Sequence, residues 1–328
     1  MFELYLEKPG ALTLRRQAPA GEPRTGELKL RSIYGGICGS DLRVYKGSIN
    51  YAAYPLRPGH EVLATVAAGT AGGLKPGDRV VVFPNTFCGE CAFCRQGRTN
   101  ICRQKKPLGL SASGVFAREF IIESKYVVPV PAKLADERAI LTEPLAVSVH
   151  ALKKAGLAAG LSVAVVGAGT EGLLAAALAL KKGCQVTLVD VNPAKLAIAA
   201  RLGPVKAITP AEVGDSTFDV VVEAAGVKAS VEQAMQMVTP GGSLVAIGIT
   251  GEQVDYPCIH IVRDEITIYG TIIYTPADFA EAIEWLLDDG FNVAPVLSKV
   301  VPLADFRQAY DDALSGNLAK IVLDFREG

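Results

Sequence analysis

One short loop of the sequence contains four cysteines, at Cys88, Cys91, Cys94 and Cys102. Their spacing, C-x2-C-x2-C-x7-C, allows four thiolates to surround one Zn²⁺ at Zn–S distances of about 2.3 Å. The alternative is a pair of disulfides, which intracellular proteins rarely carry. We therefore predict a structural zinc lobe over about residues 84–106. A zinc ion with four cysteine ligands has no open coordination position, so the chemistry of the protein must lie elsewhere.

A second group of potential zinc ligands is spread along the first half of the sequence. Cys38 lies in the segment Gly-Ile-Cys-Gly-Ser-Asp, and His60 and Glu61 lie in Pro-Gly-His-Glu. Glu143, in Thr-Glu-Pro-Leu-Ala, offers a further carboxylate. Three protein ligands and an open fourth position are typical of a catalytic zinc. The sequence thus predicts a catalytic zinc bound by Cys38 and His60, with Glu61 or Glu143 as the third ligand.

A glycine-rich motif indicates a dinucleotide site. The segment from Gly167 to Gly172 reads G-x-G-x-x-G, follows a predicted strand and opens a predicted helix, which is the context that gives the motif its meaning. Asp190 ends the next predicted strand, where a carboxylate can hydrogen-bond the ribose hydroxyls and repel a 2′-phosphate. We therefore predict NAD rather than NADP. The predicted cofactor-binding residues are Gly167, Gly169, Thr170, Glu171, Gly172, Asp190 and Lys195.

Composition excludes several classes of protein. The 328 residues carry a net charge of −1, with 50% hydrophobic and 20% charged residues, so no basic surface for nucleic acid is expected. The first residues are acidic where a signal peptide would be basic. No apolar stretch approaches the roughly 20 residues that a membrane helix needs. We expect a cytoplasmic protein that binds neither nucleic acid nor membranes, and its length favours two domains.

The pattern of secondary structure changes along the chain. Residues 1–147 show short apolar alternations separated by Gly and Pro, which favours a β-rich domain. From about residue 160, strands and helices alternate, which predicts a doubly wound parallel sheet and hence an α/β fold. The predicted strands are 162–166, 185–189, 218–223, 243–247 and 265–270. The predicted helices are 171–182, one capped by Asn192 with Pro193 at its first position, 228–238 and 276–288.

Taken together, these motifs resemble the zinc-dependent medium-chain dehydrogenases. The resemblance covers nearly the whole chain and is closest to the branch of polyol, sugar-acid and threonine dehydrogenases, where a glutamate such as Glu143 stands in place of a cysteine ligand. It implies a GroES-like catalytic domain over residues 1–147. It also implies a Rossmann domain over 148–285 and a C-terminal return to the catalytic domain over 286–328.

The resemblance also implies roles for individual residues. Cys38 and His60 match the catalytic zinc ligands of the family, and Glu61 and Glu143 match its two carboxylates. Ser40 matches the hydroxyl that takes the proton of the substrate. The family often has a histidine at the end of this relay, where the present chain has Arg43. Because arginine does not deprotonate at working pH, Arg43 is expected to bind substrate, with Tyr45 nearby.

The expected reaction is reversible oxidation of a secondary alcohol by NAD⁺, with two zinc ions per chain. The expected substrate is polar: a polyol, sugar acid, sugar phosphate or similar alcohol. The alternatives are a threonine-type dehydrogenase, a reductase without catalytic zinc, a zinc-binding interaction module, and a cofactor-binding protein without activity. The predicted edge strand from Glu265 to Ile272 favours pairing with a second copy, so we expect a homodimer or homotetramer.

Overall fold

The computed structural model describes residues 1–326, which form two compact units. The first unit contains residues 1–143, 275–287 and the chain from 297 onward; the second contains residues 144–274 and 288–296. The last two residues of the expected C-terminal segment, 327 and 328, lie outside the described part. No helix within residues 1–326 is long and apolar enough to cross a membrane.

The secondary structure comprises short strands in the first unit and alternating strands and helices in the second. The strands are β1 Phe2–Leu6, β2 Leu12–Arg16, β3 Glu27–Ile37, β4 Glu61–Ala68, β5 Arg79–Val82, β6 Glu119–Glu123, β7 Val127–Pro129, β8 Ser162–Val166, β9 Gln185–Val189, β10 Val205–Ile208, β11 Phe218–Glu223, β12 Val238–Ala246, β13 Thr267–Gly270, β14 Leu297–Pro302 and β15 Lys320–Asp324. The helices are α1 Gly39–Tyr45, α2 Ala92–Arg95, α3 Asp136–Ala139, α4 Thr142–Lys154, α5 Thr170–Lys181, α6 Pro193–Ala199, α7 Lys228–Gln236, α8 Cys258–Arg263, α9 Pro276–Leu287 and α10 Phe306–Leu314.

The first unit is built around one sheet in the order β14-β15-β3-β4-β5-β7, with β6 also paired to β3. In β3, Leu28 and Leu30 are buried in the core, because side chains two residues apart share one face of a strand. Strands β4 and β15 both run antiparallel to β3. The end of β3 therefore lies beside the start of β4 and the start of β15.

Helix α9 belongs to the first unit, although the sequence suggested that the nucleotide-binding domain extends to residue 285. Phe279 of α9 packs edge-on against Phe83, with ring centroids 5.5 Å apart. This aromatic contact lies within the β-rich unit, and hydrophobic periodicity alone does not show which core a helix faces.

The second unit contains a fully parallel six-stranded sheet in the order β10-β9-β8-β11-β12-β13. Counted from β8 as the first strand, this is the order 3-2-1-4-5-6 of the Rossmann fold, which confirms the predicted architecture. The predicted helix start at Pro193 is also confirmed, because the Asn192 side chain accepts a hydrogen bond from Ala194 N at 2.9 Å.

Candidate active site and metal centres

The four clustered cysteines lie together in the first unit. Their sulfur atoms all lie within 4.8 Å of one another, and none forms a disulfide. Separations of 3.6 Å for Cys102–Cys88 and 3.9 Å for Cys88–Cys94 suit the edges of a tetrahedron with Zn–S bonds of about 2.3 Å. Cys91 caps α2 by accepting a hydrogen bond from Cys94 N at 3.5 Å. The predicted loop thus offers a preformed set of four thiolate ligands.

The protonation of these thiols shows why the lobe suits a cation. The backbone N–H of Cys94 stabilises a thiolate and lowers the pKa of Cys91 to about 6. Desolvation and the Cys91 sulfur raise the pKa of Cys94 to about 12. Burial and the neighbouring sulfur therefore favour the protonated form of Cys94, and a bound metal ion would compensate the charge of the thiolates in this cluster.

The second group of ligands forms where β3 ends and β4 begins. Cys38 follows the last residue of β3, and His60 precedes the first residue of β4. A sulfur of Cys38, a nitrogen of His60 and a carboxylate oxygen of Glu61 lie within 4.8 Å of one another. Because His60 precedes the strand rather than belonging to it, strand alternation does not force it away from Glu61. These donors fit a zinc ion.

Asp41 holds the two ligand loops together. Its buried carboxylate accepts hydrogen bonds from Cys38 N at 2.9 Å and Gly59 N at 3.1 Å, and it lies 3.6 Å from His60 Nδ1. Burial opposes protonation of His60, but the Asp41 carboxylate and the Cys38 thiol raise its pKa well above the usual value. A carboxylate behind a histidine ligand fixes the ring and leaves its other nitrogen for the metal.

Glu61 is paired with a lysine from the last strand. Lys320 Nζ donates to the two Glu61 oxygens at 2.6 and 2.7 Å, and to Ile37 O at 3.2 Å. The strand register explains the pairing, because Glu61 lies opposite Gly36 and Ile321 lies opposite Ile37. Any side chain at Gly36 would collide with the carboxylate, since a Cβ there would lie 2.0 Å from Glu61 Oε2.

The glycine motif forms the turn from β8 into α5. Gly167 adopts φ +103°, and a Cβ there would lie 2.8 Å from Ala225 N. A Cβ on Gly172 would lie 1.8 Å from Gly167 O, whereas one on Gly169 would meet nothing within 4 Å. The first and third glycines are thus needed for packing, and the second leaves open space, as a pyrophosphate requires. Thr170 and Glu171 form the first turn of α5, half-buried.

Asp190 lies directly after β9, beside the glycine turn. Its carboxylate accepts hydrogen bonds from Ala168 N at 2.6 Å and Asn192 N at 2.8 Å, so its position relative to the turn is defined. Lys195 is half-buried on α6, and burial lowers its pKa although Asp190 partly offsets the effect. A carboxylate and an ammonium group therefore lie close enough to interact at the end of β9.

Glu223, at the end of β11, shapes the neighbouring loop. Its buried carboxylate accepts hydrogen bonds from Ala225 N at 2.9 Å, Gly226 N at 2.8 Å and Ser230 Oγ at 2.6 Å. Strand β11 lies next to β8, so this loop adjoins the glycine turn at the switch point of the sheet, where such folds bind their ligands.

Comparison with known proteins assigns a dehydrogenase domain to each of the two units. Residues 24–132 match the alcohol dehydrogenase GroES-like domain, and residues 172–288 match the zinc-binding dehydrogenase domain. The chain is 31% identical over 308 residues to 2-dehydro-3-deoxy-L-galactonate 5-dehydrogenase of Pseudoalteromonas atlantica, covering 90% of each. The chain belongs to the zinc-dependent alcohol dehydrogenase-like family. It is therefore an enzyme, and the GroES-like and Rossmann architecture is confirmed.

Two solved structures of this dehydrogenase family resemble the chain along nearly its whole length. L-Idonate 5-dehydrogenase from Escherichia coli superposes with a TM-score of 0.90 at 27% identity, covering 98% of this chain and 97% of that one. A zinc-binding dehydrogenase of Sinorhizobium meliloti bound to NADP gives a TM-score of 0.90 at 26% identity and covers 98% of both chains. Zinc and a nicotinamide dinucleotide are accordingly the cofactors of the family.

The predicted substrate residues of the dehydrogenase lie on α1. Ser40 and Arg43 are half-buried and three positions apart, so they share one face of the helix. Tyr45 packs instead against the Tyr310 ring, with centroids 5.5 Å apart, a contact that belongs to the hydrophobic core.

Glu143 is buried as the second residue of α4 and is not part of the donor group formed by Cys38, His60 and Glu61.

Three residues that shape these sites were not singled out by the sequence. Asp41 stands three residues after Cys38, at the third position of α1. An acidic residue at this position commonly caps a helix, so the spacing could have identified Asp41 from the sequence. Glu223 ends a predicted strand, as Asp190 does. Lys320 had no local signal, because only strand pairing brings it to Glu61.

Proposed function

We propose that this dehydrogenase oxidises a secondary alcohol group of a sugar acid or polyol, with NAD⁺ as hydride acceptor. The observation that carries the proposal is the donor group of Cys38, His60 and Glu61, supported from behind by Asp41. The names of the relatives support the substrate class, because both the L-galactonate derivative and L-idonate are sugar acids.

A zinc ion bound at this position supplies a Lewis acid that lowers the pKa of the substrate hydroxyl. We infer that Cys38 and His60 are direct ligands. The Asp41 carboxylate, 3.6 Å from His60 Nδ1, favours a proton on that nitrogen by its negative charge and so leaves Nε2 for the metal. Glu61 completes the donor group, while its pairing with Lys320 limits the negative charge that it contributes. Glu143 remains the alternative carboxylate.

The proton of the substrate needs an acceptor on the protein. Ser40, the second residue of α1 and two residues after Cys38, offers a hydroxyl that accepts this proton and releases its own to solvent. When bound, NAD⁺ would accept the hydride of the carbinol carbon, so that the products would be a ketone, NADH and one proton. Arg43, one turn further along the helix, binds the polar substituents of the substrate.

We infer NAD rather than NADP from Asp190. A carboxylate at the ribose end of the site accepts hydrogen bonds from ribose hydroxyls and repels a 2′-phosphate. Its fixed orientation, through Ala168 N and Asn192 N, strengthens this preference. A relative from S. meliloti is bound to NADP and a protein of the same fold from Escherichia coli to NADH, so cofactor choice varies among proteins of this fold.

The two proposed zinc ions are tested by removing one cysteine at a time. Cys38→Ser should lose one zinc and nearly all turnover while staying folded. Cys91→Ser should lose the other zinc and lower the stability, because structural zinc contributes folding free energy directly. Cys258→Ser is the matched control, since this exposed thiol lies outside both groups. Normal turnover of the Cys38 variant would contradict the assignment.

The substrate is tested with the zinc-loaded protein in one panel. Reduction of NAD⁺ and NADP⁺ is followed with sugar acids, polyols, sugar phosphates, L-threonine and ethanol. We expect the largest kcat/KM for a sugar acid or polyol with NAD⁺. A preference for L-threonine would favour the threonine-type alternative, and a lack of turnover with every alcohol would contradict the proposal.

We further infer that two copies pair through the outer edge of the Rossmann sheet. Strand β13 ends that sheet, and the adjoining Ile259, Val262 and Ile268 are 63%, 75% and 37% exposed. An open strand edge beside exposed apolar residues favours association with another chain.

The expected cytoplasmic location remains a prediction.

A further inference from the structure

A cavity of about 230 Å³ lies in the first unit, between β1 and the loops around residues 53–57 and 110–113. Its polar lining residues are Tyr5, Arg57, Ser111 and Ser113, and its other lining residues are alanine, proline and leucine. None of the lining residues is acidic. At about 30 Å³ per water molecule, the space suits a small organic molecule or ion rather than a whole cofactor.

Arg57 contributes the only charged group of this lining. Its side chain is 15% exposed, and it donates from Nε to Gly114 O at 2.5 Å and from one Nη to Glu3 at 3.2 Å. A guanidinium group has five N–H donors. Within residues 1–326, three of those donors therefore have no protein acceptor.

The surrounding charges do not balance this guanidinium. Glu3 is shared with Arg15, whose Nε lies 2.7 Å from the other carboxylate oxygen, so two positive groups face one negative group. Burial lowers the pKa of Arg57 more than Glu3 raises it, and Arg15 lowers it further. A half-buried cation with unused donors can bind an anion from solution.

We propose that this cavity is a binding site for a small anion, either a carboxylate or a phosphate. The planar fork of Arg57 binds two oxygens of the anion, and the hydroxyls of Ser111 and Ser113 at the exposed rim bind further oxygens. The anion is either a separate ligand or, if the proposed function holds, the acid group of the sugar-acid substrate.

The test measures anion binding by the zinc-loaded full chain without nicotinamide cofactor, so its outcome does not depend on turnover. Inorganic phosphate and gluconate are titrated by calorimetry at constant ionic strength. Ser111→Asp places a negative charge at the rim and should weaken binding roughly tenfold or more. Arg57→Lys retains the ion pair with Glu3 and should weaken binding through loss of the fork. Ser216→Asp, on an exposed loop of the second unit, is the matched control and should bind as the wild type does.

Steady-state kinetics then distinguish the two sources of the anion. If phosphate competes with a sugar acid, and Ser111→Asp raises KM for the acid but not for a neutral polyol, the site holds the acid group of the substrate. If phosphate binds without changing KM, the site takes a separate anion. The proposal is wrong if neither phosphate nor gluconate binds saturably to the wild type, or if Ser111→Asp binds them equally well. A protein that binds phosphate but oxidises no alcohol would contradict only the proposed function.

Discussion

Lys320 Nζ lies 2.6 and 2.7 Å from the two carboxylate oxygens of Glu61, and both side chains are almost completely buried. The pair links the first residue of β15 to the first residue of β4. It therefore joins the C-terminal strand to the segment that begins at His60, and it compensates a carboxylate beside the proposed catalytic zinc.

Removing the lysine charge should destabilise the first unit. Lys320→Met leaves Glu61 buried without its partner, which typically costs about 3–5 kcal/mol. The double variant Glu61→Gln/Lys320→Met should recover much of this loss, because neither charge remains. Urea unfolding of the zinc-loaded protein measures both. Lys125→Met is the matched control, since the Lys125–Glu123 pair is more than half exposed and should be worth less than about 1 kcal/mol.

An unchanged free energy of unfolding in Lys320→Met would show that the buried pair contributes no net stability. Zinc content should be determined on the same samples. It separates a loss of folding free energy from a change in how Glu61 interacts with the metal.

Asp41 should control zinc affinity at the catalytic position. Asp41→Asn removes the negative charge behind His60 and one of the acceptors for Cys38 N and Gly59 N. Changes to such supporting carboxylates typically lower metal affinity by about 10–100-fold. Competition with a chelator should release one zinc more readily and leave the zinc of the cysteine lobe in place. Asp215→Asn, at an exposed position, should retain both zinc ions. Equal zinc affinity of the two variants at the catalytic position would exclude the positioning role of Asp41.

The sequence predicted those parts of the site that depend on neighbouring residues. The cysteine lobe and the glycine turn each lie within one short segment, so spacing and residue type were sufficient. The alternation of strands and helices likewise defined the second unit, and Asn192 was a local helix signal that the structure confirms. The binding roles assigned to these segments remain predictions.

The parts that depend on long-range pairing could not be read from local patterns. Lys320 reaches Glu61 only because β15 and β4 lie on either side of β3. Tyr45 follows Ser40 and Arg43 in sequence, but its ring packs against Tyr310 on α10. Helix α9 has the expected length, yet its apolar face lies against the first unit. In each case the partner is distant in the chain, and periodicity does not identify it.

Asp190 should determine the cofactor preference. Asp190→Ala removes an acceptor for the ribose hydroxyls and the repulsion of a 2′-phosphate, so the ratio of kcat/KM for NADP⁺ to that for NAD⁺ should rise. Activity with NAD⁺ should also fall, because Ala168 N and Asn192 N lose their acceptor. Steady-state kinetics with both cofactors measures the ratio. A wild type that prefers NADP⁺, or a ratio that does not change, would contradict the role of Asp190.

The outer edge of the Rossmann sheet should carry the contact between copies. Light scattering of the wild type should show a dimer or tetramer rather than the 34.5 kDa monomer. Val262→Lys places a charge among exposed apolar residues of α8 and should shift the population toward smaller species. Val300→Lys is the control, because Val300 is 39% exposed on β14 in the first unit. A monomeric wild type would rule out the proposed pairing.

Arg43 should distinguish polar substrates from simple alcohols. It lies one turn after Ser40 on α1, and its planar donors suit a carboxylate or several hydroxyls. Arg43→Ala should therefore raise KM for the sugar acid or polyol by roughly tenfold and change kcat much less, as expected when binding is lost equally in the ground and transition states. Lys46→Ala, at the exposed end of the same helix, is the matched control and should leave KM nearly unchanged. Ethanol, which has no group for Arg43 to bind, should be a poor substrate of the wild type. Efficient oxidation of ethanol, together with an unchanged KM for every polar alcohol in Arg43→Ala, would show that this arginine takes no part in substrate binding.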